Sequence, residues 1–254
     1  MRAISAVLNL LRKDLRTVYR DRFLLLMVVL PFAQAWVLRV LVFVGPRYVP
    51  VPVPVAEIAL YFAPLVVMVA PFMLGFVAGL GLIEERSSRT WLSMRVMPLA
   101  PYTYVLYQSG FTTSFAVVLN LGAVLLYGVR PANPGWLVLM TVLMSMSGAI
   151  VAFLLGSLAG SQVEGMAIGK PLGIVMATSL AVFAVAPGWQ LLVGWSPWYW
   201  GYLGLLYSFA GPAVAELGLL KWPGYPPGAV AAATLLLSVI LTAALARVYA
   251  GRAD

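Results

Sequence analysis

Side chains that could carry out covalent chemistry are scarce in this sequence. It contains no Cys and no His, which excludes thiol chemistry and the usual His/Cys zinc sites. Ser93 and Ser161 have no histidine to act as a general base. Lys170 could serve Ser161, but a lysine at the boundary of an apolar segment is more typical of a topology anchor. The residue types therefore disfavour a hydrolase, and a membrane enzyme stays as an alternative.

Sites that could supply energy are also missing from the sequence. The nearest approach to a phosphate-binding loop is GMAIGKP at 165–171, whose glycines have the wrong spacing and which has Pro171 where a Ser or Thr must reach magnesium. Proton coupling would need a carboxylate or histidine within the membrane, whereas the acidic residues fall at span ends, in loops or near the termini. If the protein pumps, its energy must come from a partner.

Composition places the chain in the membrane. Hydrophobic residues make up 63% of the 254 positions and charged residues only 9%, which is too little polar surface for a soluble globule. The formal net charge of +8 comes from basic residues at the ends of apolar runs, so we expect no nucleic-acid binding. Residues 1–22 are too long and too charged for a signal peptide, and we expect the first span to be retained.

We predict an all-α polytopic membrane protein with a single transmembrane domain over residues 1–254. Its six transmembrane helices are expected at about residues 23–44, 58–83, 102–129, 136–159, 171–187 and 229–246. The second is about 39 Å long at the helical rise, more than a hydrocarbon core of roughly 30 Å, so we expect tilt or a break. Pro64 and Pro71 provide sites for a bend. The Gly75-x-x-x-Gly79 pair provides a site for close helix contact.

Two further segments are predicted to lie at the membrane surface. Residues 188–228 are rich in Trp, Tyr, Gly and Pro, which favours an outer re-entrant or interfacial hairpin, with a seventh span at 198–212 as the alternative. Residues 1–22 are predicted to form an interfacial amphipathic helix. Its polar side carries Arg12, Lys13, Arg16 and Arg20. A basic flank that only orients the first span is the other interpretation.

Residues 84–101 hold the only dense charge cluster between two apolar runs. A charge at the bilayer centre costs about 2.5–3.5 kcal/mol on insertion scales, so this segment must lie in water. Ser87 and Ser88 can cap a short amphipathic helix, which Pro98 and Pro101 end. Six spans place most of the 16 Lys and Arg residues on the side of this loop and of both termini. The positive-inside rule therefore predicts that both termini are cytoplasmic.

Four motifs occur in an order that resembles the membrane subunit of type-2 ABC transporters, particularly the fluoroquinolone-export permease branch. They are LRKDLRTVYRDR at 11–22 before an apolar run with Pro31, EER at 84–86 leading to MPLAPY at 97–102, QVEGM at 162–166, and WSPWYW at 195–200. The resemblance covers nearly the whole chain.

The resemblance implies a permease subunit of an ATP-driven ABC exporter in the cytoplasmic (inner) membrane. Such a chain would pair with a second permease copy, as a homodimer or heterodimer, and would be driven by separate ABC ATP-binding subunits. ATP and magnesium would bind to those subunits, and no cofactor is expected in this chain. The cargo would be an amphiphilic drug, lipid or related compound. A haem or polysaccharide permease of the same architecture, or a non-transporting membrane scaffold, is the alternative.

In that family the loop between the second and third spans is a coupling helix that docks on the ATPase. Carried onto this chain, it covers about Ser87 to Met97, although WLSMR at 91–95 departs from the family pattern. The implied contacts are Trp91, Leu92 and Met94 on the apolar side, and Arg86, Ser88, Arg89 and Arg95 on the polar side. These arginines could instead only enforce topology. Candidates for lining the substrate path are Gln34, Asn120 and Gln190, although such residues more often bond a neighbouring helix.

Overall fold

The structure is a computed structural model that describes residues 22–48, 54–87 and 101–253. All regular secondary structure within these ranges is helical. Six of the described helical segments are long and apolar enough to cross a membrane, and we call them the first to sixth spans. They are Leu25–Arg47, Val55–Arg86, Leu106–Tyr127, Pro134–Leu158, Gln162–Ala184 and Pro227–Gly251. The predicted all-α fold with six transmembrane helices is confirmed.

Several spans contain more than one helix. The second, third and sixth spans lie within the α-helices Val55–Ser87, Pro101–Tyr127 and Pro227–Ala253. The first span covers the α-helix Arg22–Phe43 from Leu25 onward and the 3-10 helix Gly45–Arg47 that follows it. The fourth span is divided into Pro134–Ser145 and Ser147–Leu158, and the fifth into Gln162–Met176, a 3-10 helix Ala177–Leu180, and Ala181–Ala184. The shorter helices outside the spans are Pro187–Val193, Pro197–Ala210 and Gly211–Glu216.

The fifth span begins at Gln162, earlier than the Pro171 start that the sequence predicted. Ser161 caps this helix, because its hydroxyl accepts a hydrogen bond from the Glu164 backbone N–H at 3.3 Å. The polar residues that suggested a loop lie on exposed positions of the first helical turns. Pro171 lies inside the helix, as proline can in membrane spans whose freed backbone groups find other partners.

The second span occupies the centre of the bundle. It packs against the first, third, fourth and fifth spans and against the helix Pro197–Ala210. The buried share of its residues is 61%, against 17% for the first span. A Cβ at Gly75 would overlap the Gly148 carbonyl, and one at Gly79 would lie 2.7 Å from the Leu155 Cβ. The predicted close contact at the two glycines is therefore confirmed, and the backbones of the second and fourth spans meet there.

The helix of the second span, Val55–Ser87, is continuous over 33 residues despite its prolines. At 1.5 Å per residue it is about 50 Å long, so it must tilt or extend beyond a hydrocarbon core of roughly 30 Å. Pro64 has no N–H to offer the carbonyl four residues earlier, that of Leu60. Tyr127 and Tyr202 donate hydroxyl hydrogen bonds of 2.9 Å to the carbonyls on either side of it, those of Ala59 and Tyr61. Neighbouring helices thus supply donors where the proline disturbs the backbone.

Contacts between spans define two ends of the bundle, which we call the Arg86 end and the Arg39 end. The side chain of Arg86 donates to the Ala159 carbonyl at 2.7 Å, and Tyr249 of the sixth span packs in the same region beside Leu82. At the other end, Arg39 donates to the Leu126 carbonyl at 2.7 Å. The first helix therefore begins, and the sixth ends, at the Arg86 end, as an even number of crossings requires.

We expect Gly75→Ala to destabilise the chain, because the added Cβ would force the second and fourth spans apart. Overpacking of this kind costs about 1–3 kcal/mol. Thermal unfolding in detergent is expected to show a clearly lower Tm for the variant.

Gly81→Ala is the matched control in the same helix, because a Cβ at Gly81 meets no described atom within 4 Å. Alanine also favours the helix more than glycine does, so its Tm is expected to be equal or slightly higher. An equal loss of Tm in both variants would contradict the close approach at Gly75.

Candidate transport and coupling residues

Most of the predicted surface site lies outside the described residues. This applies to the interfacial residues Arg12, Lys13, Arg16 and Arg20, and to the coupling residues Ser88, Arg89, Trp91, Leu92, Met94 and Arg95. They remain predictions from the sequence. Of the predicted coupling residues, the structure describes the side chain of Arg86.

Arg86 contacts the end of the fourth span. Its Nη2 lies 2.7 Å from the Ala159 carbonyl oxygen and its Nη1 lies 3.3 Å from that of Gly156. The helix Ser147–Leu158 ends at this point, and the last carbonyls of a helix lack partners within it. A guanidinium there satisfies two of them and offsets the partial negative charge of the helix end. Arg86 therefore joins the second span to the fourth within the chain.

The turn between the fourth and fifth spans is fixed by its own hydrogen bonds. Ser161 caps the fifth span, and the Glu164 carboxylate accepts a bond of 2.7 Å from the Gly160 N–H. This pairing of a capping Ser with a Glu three residues later resembles a capping box. The amide of Gln162 donates to the Glu84 carboxylate at 3.3 Å, which gives the turn a second link to the second span.

Asn120 lies in a polar seam at the middle of the bundle. Its Nδ2 donates to the Ser145 hydroxyl of the fourth span at 3.2 Å, and both residues are fully buried. The fourth span is interrupted next to this bond, at Met146. Within the described part of the chain, the Asn120 Oδ1 and the hydroxyls of Thr141 and Ser147 have no hydrogen-bond partner. Asn120 thus links the third and fourth spans in this conformation, and its place beside a substrate path stays a prediction.

Gln34 and Gln190 also bond to neighbouring segments. Gln34 donates to the Leu65 carbonyl of the second span at a long 3.4 Å. Gln190 is fully buried and makes three bonds of 2.8 Å each. Its amide donates to the carbonyls of Val185 and Lys221, and its oxygen accepts from the Tyr199 hydroxyl. The structure brings none of the three predicted path residues together.

The helix Pro197–Ala210 packs against the second, fourth and sixth spans and lies in the segment that the sequence predicts to be a re-entrant or interfacial hairpin. It has 14 residues, about 21 Å at the helical rise, which is too short for a hydrocarbon core of roughly 30 Å. Before its first turn, the Ser196 hydroxyl accepts a bond of 2.8 Å from Thr178, inside the fifth span. Its last turn reaches the Arg39 end, where the Phe209 carbonyl accepts from the Ala132 N–H at 3.2 Å. We call this element the re-entrant helix.

The sequence matches a family model over residues 14–241 of the 254. That family is described as fluoroquinolones export permease protein Rv2686c-like. The chain belongs to this family. A comparison with curated proteins gives no match. Together with the six spans, the family membership identifies a multi-pass membrane permease.

The Arg39 end of the permease is covered by the segment 217–226, which we call the strap. The Glu57 carboxylate accepts hydrogen bonds from the Tyr61 hydroxyl at 2.9 Å and from the Gly218 N–H at 3.4 Å. The Tyr61 oxygen in turn accepts from the Leu219 N–H at 3.2 Å. The Lys221 ammonium donates to the Ala184 carbonyl at 2.8 Å. These bonds hold the strap against the second and fifth spans.

Sequence reasoning did not find this role of Glu57 and Tyr61. The available signal was an acidic residue at the start of an apolar span with a tyrosine one helical turn later, a spacing at which the two side chains are neighbours. The partners of the pair come from a loop more than 150 positions away in the sequence, and no local pattern points to them.

We expect Gln190→Ala to loosen the strap of the permease. The substitution leaves the Tyr199 hydroxyl and two carbonyls without their partner, and each buried unsatisfied group costs about 1–3 kcal/mol. Trypsin cleavage after Lys221, measured in detergent, is therefore expected to become faster.

Gln34→Ala is the control for this experiment, because Gln34 makes a single long bond to the second span and none to the strap. Cleavage after Lys221 should keep its original rate in that variant. If Gln190→Ala is cleaved as slowly as the unaltered chain, the three bonds of Gln190 do not hold the strap.

Proposed function

We propose that this chain is the permease subunit of an ATP-driven exporter that moves an amphiphilic drug, lipid or related compound out across the cytoplasmic membrane. The observation that carries the proposal is the family match over residues 14–241, whose description names an export permease for fluoroquinolones. Planar, partly charged drugs of that type are amphiphilic, which suits a path between apolar spans. The proposed orientation has both termini and the Arg86 end in the cytoplasm, following the bias of basic residues.

The energy for export is proposed to come from separate ABC ATP-binding subunits. The sequence has no phosphate-binding loop with the spacing that ATP requires, so ATP and magnesium would bind on those partners. Their docking site would be the helix predicted at Ser87 to Met97, with Trp91, Leu92 and Met94 as apolar contacts. This helix would follow directly on the second span, which is the most connected span of the described chain.

A second permease copy is proposed to complete the transport path, in a homodimer or a heterodimer. The buried shares of the first, fifth and sixth spans are 17%, 22% and 22%, against 72% for the fourth. These outer spans carry many exposed large apolar side chains, which suit contact with lipid or with another permease. A path between two copies would not need Gln34, Asn120 or Gln190, which bond within the chain.

Inverted membrane vesicles provide a direct test, because outward export appears there as uptake into the vesicle. We expect vesicles that contain this chain and an ABC ATP-binding subunit to accumulate a fluorescent fluoroquinolone with ATP, and not with ADP. Vesicles without this chain are the control. Equal uptake in both preparations would overturn the proposed function.

The docking assignment has its own test by co-purification. We expect Trp91→Glu and Arg95→Glu to lose the ATP-binding subunit, because each places a negative charge in the proposed contact. Arg247→Glu is the matched control, since Arg247 is an exposed basic residue near the end of the sixth helix. Retention of the subunit by both loop variants would show that it docks elsewhere.

A further inference from the structure

Two arginines make the same kind of bond at opposite ends of the permease. Arg39 of the first span donates to the Leu126 carbonyl at the end of the third-span helix, at 2.7 Å. Arg86 of the second span donates to the Ala159 carbonyl just after the fourth-span helix, also at 2.7 Å. In each case a cation from one span satisfies the exposed carbonyls that end another. As helix caps the two residues are comparable, although Arg86 makes a second bond, of 3.3 Å, to the Gly156 carbonyl.

Their places in the chain are not equivalent. Arg86 immediately precedes the segment proposed to dock the ATP-binding subunit, and its carbonyl partners lead directly into the fifth span. Arg39 precedes the short helix Gly45–Arg47 at the opposite end of the bundle, away from the proposed docking segment. A force applied to the chain beyond Arg86 therefore reaches two further spans through one side chain.

The surroundings of Arg86 leave little room for the spans to slide independently. A Cβ at Gly156 would lie 3.2 Å from the Leu82 side chain, and one at Gly165 would lie 2.8 Å from Ile83. Leu82 and Ile83 are each only 1% exposed. The Gln162 amide adds its bond to Glu84 at the surface. The ends of the second, fourth and fifth spans thus form one packed unit at the Arg86 end.

The fifth span extends this connection toward the other end of the molecule. Thr178, near its far end, donates to the Ser196 hydroxyl, which lies just before the re-entrant helix. The Lys221 N–H of the strap bonds to the Val182 carbonyl of the same span at 2.9 Å. A displacement of the fifth span along its axis would therefore strain its hydrogen bonds to Ser196, before the re-entrant helix, and to Lys221 of the strap.

We propose that Arg86 is the positioning residue that transmits movement of the proposed docking segment to the turn between the fourth and fifth spans. The inference rests on the proposed function. It changes the role that the family resemblance implied for Arg86, from a contact with the ATP-binding subunit to a tie within the permease. Removal of the tie leaves the docking segment free to move without carrying the fifth span.

The test compares transport per ATP hydrolysed in the complete complex, with Arg86→Gln and Arg39→Gln as a matched pair. We expect Arg86→Gln to keep the ATP-binding subunit bound and to hydrolyse ATP, while drug uptake per ATP falls on the order of tenfold, within the usual range of coupling between sites. Arg39→Gln removes a comparable helix cap at the other end of the bundle, so uptake per ATP is expected to stay unchanged. Arg86→Lys keeps the charge but not the two-pronged geometry, and should lie between.

A disulfide that replaces the Arg86 hydrogen bonds tests transmission directly. If Arg86 only stabilised the fold, the disulfide would not restore drug uptake per ATP. The chain has no cysteine, so Leu82→Cys and Gly156→Cys introduce a single pair at the Arg86 end, where a Cβ on Gly156 would lie 3.2 Å from the Leu82 Cβ, close to the separation of about 3.5–4.5 Å in a disulfide. In the Arg86→Gln background, oxidation of this pair is expected to restore uptake per ATP, and reduction should abolish it again.

The possible failures can be told apart. No ATP-driven uptake by the unaltered complex overturns the proposed function and this inference with it. Normal export by the unaltered complex together with an unchanged ratio in Arg86→Gln, or an equal loss in Arg39→Gln, overturns the inference alone. A disulfide that blocks export in the Arg86→Gln background would also overturn the inference, because the two segments would then have to move apart during transport.

Discussion

The need to satisfy every backbone polar group without water governs this structure. In a bilayer an unpaired N–H or carbonyl has no water to bond with, so the spans must be helical. Where a helix is irregular, the freed backbone groups need hydrogen-bond partners from another span. In the second span, Pro64 leaves the Leu60 carbonyl without its helical donor. The hydroxyls of Tyr127 and Tyr202 bond to the two adjacent carbonyls. The same span meets the Gly148 backbone at Gly75. Its irregular sequence is therefore what attaches the other spans to it.

At the two ends of the bundle, arginine side chains bond the backbone carbonyls that have no partner within their own helix. The last carbonyls of the third and fourth spans would face an apolar or interfacial environment, and Arg39 and Arg86 reach across from neighbouring spans to bond them. A long arginine side chain can bury its stem among apolar neighbours while its head remains near the interface. The positive charges near span ends thus contribute to helix packing as well as to the orientation of the chain in the membrane.

The sequence alone predicted the parts of the fold that depend on local composition. Apolar length identified the six spans, and the Gly75-x-x-x-Gly79 spacing indicated the contact with the fourth span. The start of the fifth span was placed too late, because Gln162 and Glu164 suggested a loop although they occupy exposed positions of a helix that Ser161 caps. Hydropathy averages over a helical turn and does not separate an exposed helical face from a loop.

The candidate site was less accessible to prediction. An arginine at position 86 indicated a charge at the membrane surface. Its partners, Gly156 and Ala159, could not be predicted, because they are 70 and 73 positions away in the sequence. Gln190 stood out as a polar residue in an apolar region, yet its three bonds depend on how the strap and the re-entrant helix fold over it. Polar residues within spans can be found from sequence, whereas the choice between lining a path and bonding a neighbour depends on tertiary contacts.

The fourth span changes its hydrogen bonding at Met146, near the middle of the bundle. The Met146 backbone stays helical, with φ of −61° and ψ of −24°, but the Ala149 N–H bonds to the Met146 carbonyl at 3.1 Å, the closer spacing of a 3-10 turn. The half Ser147–Leu158 contains the Gly156 carbonyl that Arg86 bonds, and the half Pro134–Ser145 packs against the re-entrant helix. A 3-10 turn inside a helix often marks a hinge, so we expect this span to bend most easily at Met146, between the half that Arg86 contacts and the half that packs on the re-entrant helix.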